Sequence, residues 1–189
     1  SNSLKPNREE THRINEQVIK KIVEEGREMG VLDEEEEEMI ASIFDFGETI
    51  AREVMVPRVD MVCVDKNSTV RSLINVVSDS GFSRIPVYED SVDRIVGIVY
   101  AKDILPFTIC EKLDTPVSDI ARKPPFFVPT TKKVDELLRE MRSRSISIAI
   151  VVDEYGGTDG LISIEDILEE IVGEITDEHD EETPDIVQI

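Results

Sequence analysis

Two small sets of polar side chains in this sequence have the chemistry to hold a phosphorylated ligand. Ser163 and Asp166 lie three residues apart, where a strand pattern gives way to a helix pattern. A hydroxyl and a carboxylate so placed suit a sugar diol, which can donate to both oxygens. Ser83 and Arg84 open another strand pattern, and a hydroxyl beside a guanidinium suits phosphate oxygens. Pro86 would stiffen that strand, and the backbone of Val56, Pro57 and Arg58, just ahead of the first strand pattern, could border a planar base. Each feature also has a plainer reading. Asp166 could only cap the final helix, Arg84 could only make a surface ion pair, and Ser83 could be an ordinary strand serine.

Composition narrows the classes. The formal net charge is −21, so the chain repels a phosphate backbone and nucleic-acid binding is excluded. Two acidic runs, 33–38 and 165–185, read as solvated helix faces or linker; loose carboxylate binding of hard cations is the alternative. Cys63 and Cys110 fit no metal spacing and read as free thiols, Cys63 within the core. His12 and His179 sit in polar surroundings and are expected at the surface. The sequence shows no Ser/His/Asp set, no Cys/His pair and no Walker-type phosphate loop, so it does not read as an enzyme. The longest relevant apolar run, 148–152, is far too short to span a bilayer. Ser1-Asn2-Ser3 looks like a scar of tag removal and is set aside.

The positioning elements follow from periodicity. The first third reads as helices. Ile14, Val18 and Ile22 recur at helical spacing; Gly26 and Gly30 loosen the end; Asp33 and Glu36 match a capping box ahead of Met39, Ile40, Ile43 and Phe44. These helices have little core of their own and are expected to pack on the body or to lead into an absent part. After Val54 the chain repeats. Laying 61–64 over 125–128 also aligns Val70 with Val134, Leu73 with Leu137, Ser83 with Ser147 and Val87 with Val151. After one residue is lost in a turn, Gly97 aligns with Gly160 and Asp103 with Asp166.

Each repeat is predicted as βαββα. In the first, strands at 61–64, 84–88 and 94–100 surround a helix at 69–80, and a last helix begins at Ala101. In the second, the matching pieces are 126–128, 132–144, 146–152, 158–163 and 164–172. The turn 153–157 supplies glycines for its hairpin. One such repeat is too small to bury a sufficient core, so an α+β pseudo-twofold pair with clefts between its halves is expected.

The βαββα unit ending Gly160-Leu161-Ile162-Ser163-Ile164-Glu165-Asp166-Ile167-Leu168 resembles a cystathionine-β-synthase (CBS) domain, and the tandem resembles a CBS pair, or Bateman module, over 55–173. Four further motifs are similar to those of the CorC/HlyC proteins, relatives of the cyclin M transporters. They are Arg52-Glu53-Val54-Met55-Val56-Pro57-Arg58, Ser83-Arg84-Ile85-Pro86-Val87-Tyr88, Asp153-Glu154-Tyr155-Gly156-Gly157-Thr158 and the run from Glu165 to Ile175. The resemblance implies 1–54 as a helical linker, 55–110 and 115–173 as CBS repeats, and 174–189 as an acidic linker to a missing C-terminal domain. It also implies a parent with a transmembrane domain, magnesium or cobalt efflux as the parent's activity (with an old hemolysin label), and a place on the cytoplasmic side of the cell membrane.

The same resemblance implies an adenine nucleotide, ATP or AMP, in the cleft, with Mg²⁺ carried on the phosphates of ATP. Val56, Pro57 and Arg58 would border the base; Ser163 and Asp166, with Glu165 between them, would hold the ribose; Ser83, Arg84, Ile85 and Pro86 would meet the phosphates. The repeats are unequal, because Ser163 aligns with Tyr100, Arg84 with Ile148 and Pro86 with Ile150. One composite site and one degenerate or empty cleft are therefore expected. CBS pairs also form disc-like homodimers, so a purely structural dimerisation module is the alternative.

Overall fold

The computed structural model describes residues 8–173. The expected tag scar at 1–3, His179 and the acidic linker 174–189 lie outside the described residues. Among the described residues the chain divides into a helical unit, 8–46 with 168–173, and a body, Gly47–Ile167.

In the helical unit, α1 (Arg8–Glu28) and α2 (Glu34–Phe46) flank a turn in which Gly30 takes a φ of 71°. The expected capping box forms. Glu36 N donates to Asp33 Oδ1 at 2.9 Å and Asp33 N donates to Glu36 Oε2 at 3.0 Å. The Lys20 ammonium lies 5.5 Å from the centre of the Phe44 ring.

The body holds the rest, except that its last helix continues past Ile167. Ahead of the first repeat come α3 (Ala51–Val54) and β1 (Val56–Pro57). The first repeat is β2 (Val64–Asp65), α4 (Val70–Ser80), β3 (Arg84–Glu89), β4 (Ser91–Tyr100), then a 3₁₀ turn, Ala101–Ile104, running into α5 (Leu105–Ile109). The second is β5 (Phe127–Pro129), α6 (Val134–Ser143), β6 (Ile148–Val152), β7 (Thr158–Ser163) and α7 (Ile164–Val172). The predicted α+β order is present. In each repeat a parallel pair is joined across a helix, and the next strand returns antiparallel. Thr69 caps α4, its hydroxyl accepting from Ser72 N at 3.3 Å, and Gly81 ends that helix in the left-handed conformation. In α6 the buried residues Val134, Leu137 and Met141 form one helical stripe.

Two predicted elements change. The strand expected at 61–64 shrinks to Val64–Asp65, because Met61 and Cys63 pack between the repeats instead of pairing along a sheet. The helix expected from Ala101 starts as a 3₁₀ turn, with Pro106 in the first turn of the short α5.

The two sheets run β1-β7-β6-β5 and β2-β3-β4. Thus β1, which precedes the first repeat, belongs to the sheet of the second. It pairs antiparallel with β7, Val56 opposite Leu161 and Pro57 opposite Gly160. Just before it, Ala51 N donates to Lys132 O at 2.8 Å and Val134 N to Thr49 O at 3.0 Å. The segment leading the second repeat does the converse. Val70 N donates to Thr115 O at 2.9 Å, and Ile98 and Arg122 exchange backbone bonds of 3.0 and 2.8 Å. Each lead segment therefore completes the other repeat.

Glycine makes both crossings possible. A Cβ on Gly160 would overlap the Val56 carbonyl oxygen, and one on Gly97 would stand 3.1 Å from Arg122 O. Between the repeats, Ile95, Ile98, Ile148 and Ile150 form a buried cluster joined by Met61, Cys63, Tyr100 and Leu161. Gly160→Ala should cost about 3 kcal/mol or more, and Gly97→Ala less, because the first would overlap backbone outright while the second would only be tight against it. Ile150→Ala should cost about 2–5 kcal/mol through the cavity it leaves. Urea denaturation of the three variants checks the order.

Candidate functional site: the cleft between the repeats

The crossing of the lead segments leaves a cavity of about 320 Å³ on one side of the shared cluster. That is the lower end of the range for small-ligand sites, roughly 300–1,000 Å³. Its walls come from both repeats. Asp60, Met61, Val62, Gly81, Phe82, Ser83 and Arg84 stand on one side; Ile148, Leu161, Ser163, Glu165 and Asp166 stand on the other, with Val56 of β1 between them.

The Ser163–Asp166 pair is built by the turn from β7 into α7. Asp166 Oδ2 accepts from Ser163 N at 2.7 Å and from Ser163 Oγ at 2.6 Å, and Ser163 Oγ accepts from Asp166 N at 3.1 Å. Ser163 is therefore the cap of α7, and Asp166 closes the capping box, which is the form the plainer reading of Asp166 takes. The same closed ring fixes its carboxylate in the cavity wall, and no described protein group bonds Oδ1.

Arg84 begins β3, and its Nη2 donates to Glu165 Oε1 across the cavity. The ion pair foreseen as the plainer reading of Arg84 is thus formed with another candidate residue from the opposite repeat. Burial pushes the Glu165 carboxyl up, but its own backbone N–H, Arg84 and Ser163 outweigh this and hold it below the usual carboxylate value.

Four of the candidate residues do not line the cavity. Ile85 is fully buried in the first repeat's core, because alternation along β3 turns it away from the face that carries Arg84. Pro86 is buried in the same strand, opposite Ile98. Pro57 is paired opposite Gly160. Arg58 lies in the turn after β1 and bonds Asp93 at 2.9 Å. Val56, Ser83, Arg84, Ser163, Glu165 and Asp166 are brought together. Among the described residues no cluster of His, Cys, Asp and Glu could hold a metal, and no helix is long and apolar enough to cross a membrane.

The CBS-domain family matches residues 51–107 and 117–173, the two halves that enclose this cleft. The chain belongs to the CBS-domain family. Its pair is of the CNNM/CorC type. The solved CBS domain of a bacterial CNNM/CorC family Mg²⁺ transporter is 46% identical, with a TM-score of 0.78 over 86% of this chain and 98% of that one. A structure of such a domain in complex with ATP is 49% identical, with a TM-score of 0.71 over 74% of this chain and 99% of that one. The magnesium and cobalt efflux protein CorC of Escherichia coli is 38% identical over 161 residues, which are 85% of this chain and 55% of CorC. The chain spans between 38% and 55% of the length of the curated bacterial relatives it matches.

In this CBS pair the apolar cleft walls, Met61, Val62, Ile148 and Leu161, escaped the sequence reading as site residues. Their pattern is that of strand and core, and only the crossing of β1 onto β7 opens a cavity against them. Asp60 and Phe82 escaped too; proximity to Ser83 was the one available signal for Phe82. Cys63 packs on the cluster behind the cleft, and burial pushes its thiol up to about 11. Cys110 is exposed. Maleimide at about pH 8 should label Cys110 and leave Cys63 unlabelled until denaturant is added. Peptide mapping after a timed pulse reads the difference; equal labelling would mean that the repeats do not enclose Cys63.

Proposed function

We propose that this CBS pair is a regulatory module that binds one adenine nucleotide, ATP, in the cleft between its repeats. The carrying observation is the composite wall: the Ser163–Asp166 pair of one repeat and Arg84 of the other face one cavity whose remaining wall is largely apolar. The free oxygen of Asp166 is suited to the ribose diol, Arg84 and Ser83 to phosphate oxygens, and Val56, Met61, Val62 and Leu161 to the faces of the base. The ATP complex of a CNNM/CorC CBS domain supports the reading.

Charge makes Mg²⁺ part of the ligand rather than of the protein. One guanidinium faces three carboxylates, Asp60, Glu165 and Asp166, in a chain of net charge −21. A bare triphosphate meets net repulsion there, and Mg²⁺ bridging its phosphate oxygens reduces it. Phosphate binding must also draw Arg84 from Glu165, which couples occupancy to the relation between the repeats. In the whole protein this change would act on a membrane domain that moves magnesium or cobalt, with the module on the cytoplasmic side. The module itself performs no chemistry on the nucleotide.

A scaffold role has its own support. Leu105 and Ile109 lie one turn apart on α5, 61% and 81% exposed, an apolar stripe suited to a second copy of the chain. Dimerisation is compatible with nucleotide binding, and the two are separable by experiment.

Calorimetry with ATP, with and without Mg²⁺, should show one site per chain that weakens when the metal is chelated. Asp166→Asn keeps a helix-capping oxygen but removes the charge, and should weaken ATP about 10- to 100-fold, as expected for a lost charge-assisted hydrogen bond. AMP should bind with no dependence on Mg²⁺. A wild-type dimer in sedimentation that gives no heat and no thermal shift with millimolar ATP would leave only the scaffold role.

A further inference from the structure

Arg58 stands outside the cleft, yet its neighbours on both sides line it. Val56 precedes it, and Asp60, Met61 and Val62 follow. Arg58 opens the 3₁₀ turn Arg58–Asp60, which is closed by a bond from Met61 N to Arg58 O at 3.3 Å. So short a turn, with one long bond, does little to fix itself. Ahead of it the chain is held by the pairing of β1 with β7, but the next strand, β2, begins only at Val64. The cleft wall 60–62 therefore bridges a gap between two paired strands.

The side chain of Arg58 supplies an anchor inside that gap. Its Nη2 donates to Asp93 Oδ2 at 2.9 Å. Asp93 is itself held from two directions. Its N–H donates to Ser91 Oγ at 3.2 Å, and its carbonyl accepts from Thr158 Oγ1 at 3.2 Å. Thr158 is buried at the start of β7, directly after the turn 153–157. Asp153 braces that turn, its Oδ1 accepting from Tyr155 N at 2.9 Å and from Gly157 N at 2.8 Å. A tether thus runs from the cleft wall through Arg58 and Asp93 to the hairpin of the other repeat. Both charged side chains are about half exposed, so the pair adds little to global stability and acts on the turn alone.

We propose that Asp93 is a positioning residue for the ligand: through Arg58 it holds the wall 60–62 against the base without touching the ligand. The inference rests on the reading that the base lies against Val56, Met61 and Val62. The sign of the effect separates positioning from charge. Asp93 is an anion in a chain of net charge −21, so by charge alone its removal strengthens the binding of an anionic ligand. By positioning, its removal weakens binding, and weakens a neutral nucleoside by the same factor.

The test is calorimetric titration of the full chain with Mg²⁺-ATP and, separately, with adenosine. Asp93→Ala and Arg58→Gln should each weaken adenosine about 3- to 5-fold, near the upper value of an exposed ion pair, and the double variant should lose no more than either. Asp93→Ala should weaken Mg²⁺-ATP by the same factor. Unchanged adenosine affinity, losses that multiply in the double variant, or tighter Mg²⁺-ATP in Asp93→Ala overturns the proposal. Amide exchange by NMR reads the tether without ligand. The Met61 N–H should exchange about 3- to 5-fold faster in Asp93→Ala while the amides of β6 keep their wild-type rates. Equal Met61 exchange overturns the proposal whether or not nucleotide binds. A wild type that takes neither ligand counts against the proposed function, and Met61 exchange then decides the tether by itself.

Discussion

Everything in the body depends on the crossing of the two lead segments. Neither repeat closes its own sheet edge. Val56 and Pro57 are given to β7, and Arg122 is given to Ile98, so each half carries a strand-like piece that the other needs. The backbone bonds that result are non-local, and the isoleucine cluster behind them is shared. Glycine at Gly160 is the condition for the first crossing, since the arriving backbone occupies the space a side chain would fill, and at Gly97 a side chain would be tight against the arriving backbone. The clefts are a consequence. They are what remains on either side of the shared cluster once the repeats are held together at their edges.

Much of this architecture was legible in the sequence because its causes are local. The Asp33–Glu36 box and the helical spacing of Ile14, Val18 and Ile22 each need only a few neighbouring residues to be recognised. Internal repetition then set the βαββα order without any long-range information. The crossing was not legible. A strand of two residues, Val56–Pro57, has no periodicity to read, and its partner lies a hundred residues away in the chain. The loss of pairing at 61–63 has the same origin, because that stretch serves the space between the repeats and not a sheet.

The site was partly legible for a different reason. Ser163, Asp166, Ser83 and Arg84 announce themselves by chemical type, and the structure gathers them. Ile85 is not gathered with them, because strand alternation sends it to the opposite face from Arg84. Two pairs of competing readings also proved to be single facts. Asp166 both closes the capping box of its helix and lines the cleft, and Arg84 is both an ion-pair partner and a cation in the cleft wall. A carboxylate fixed by its own helix, with one oxygen left over, is a preorganised acceptor.

The account stands most directly on the claim that one ligand touches both repeats at once. A backbone-amide NMR titration of the chain with ATP and Mg²⁺ tests it. The account predicts that amides at 81–84 and at 161–166 shift together, with one common saturation curve, while those around Asp103 and Arg122 stay in place. Shifts confined to a single repeat, or two curves with different midpoints, would contradict it.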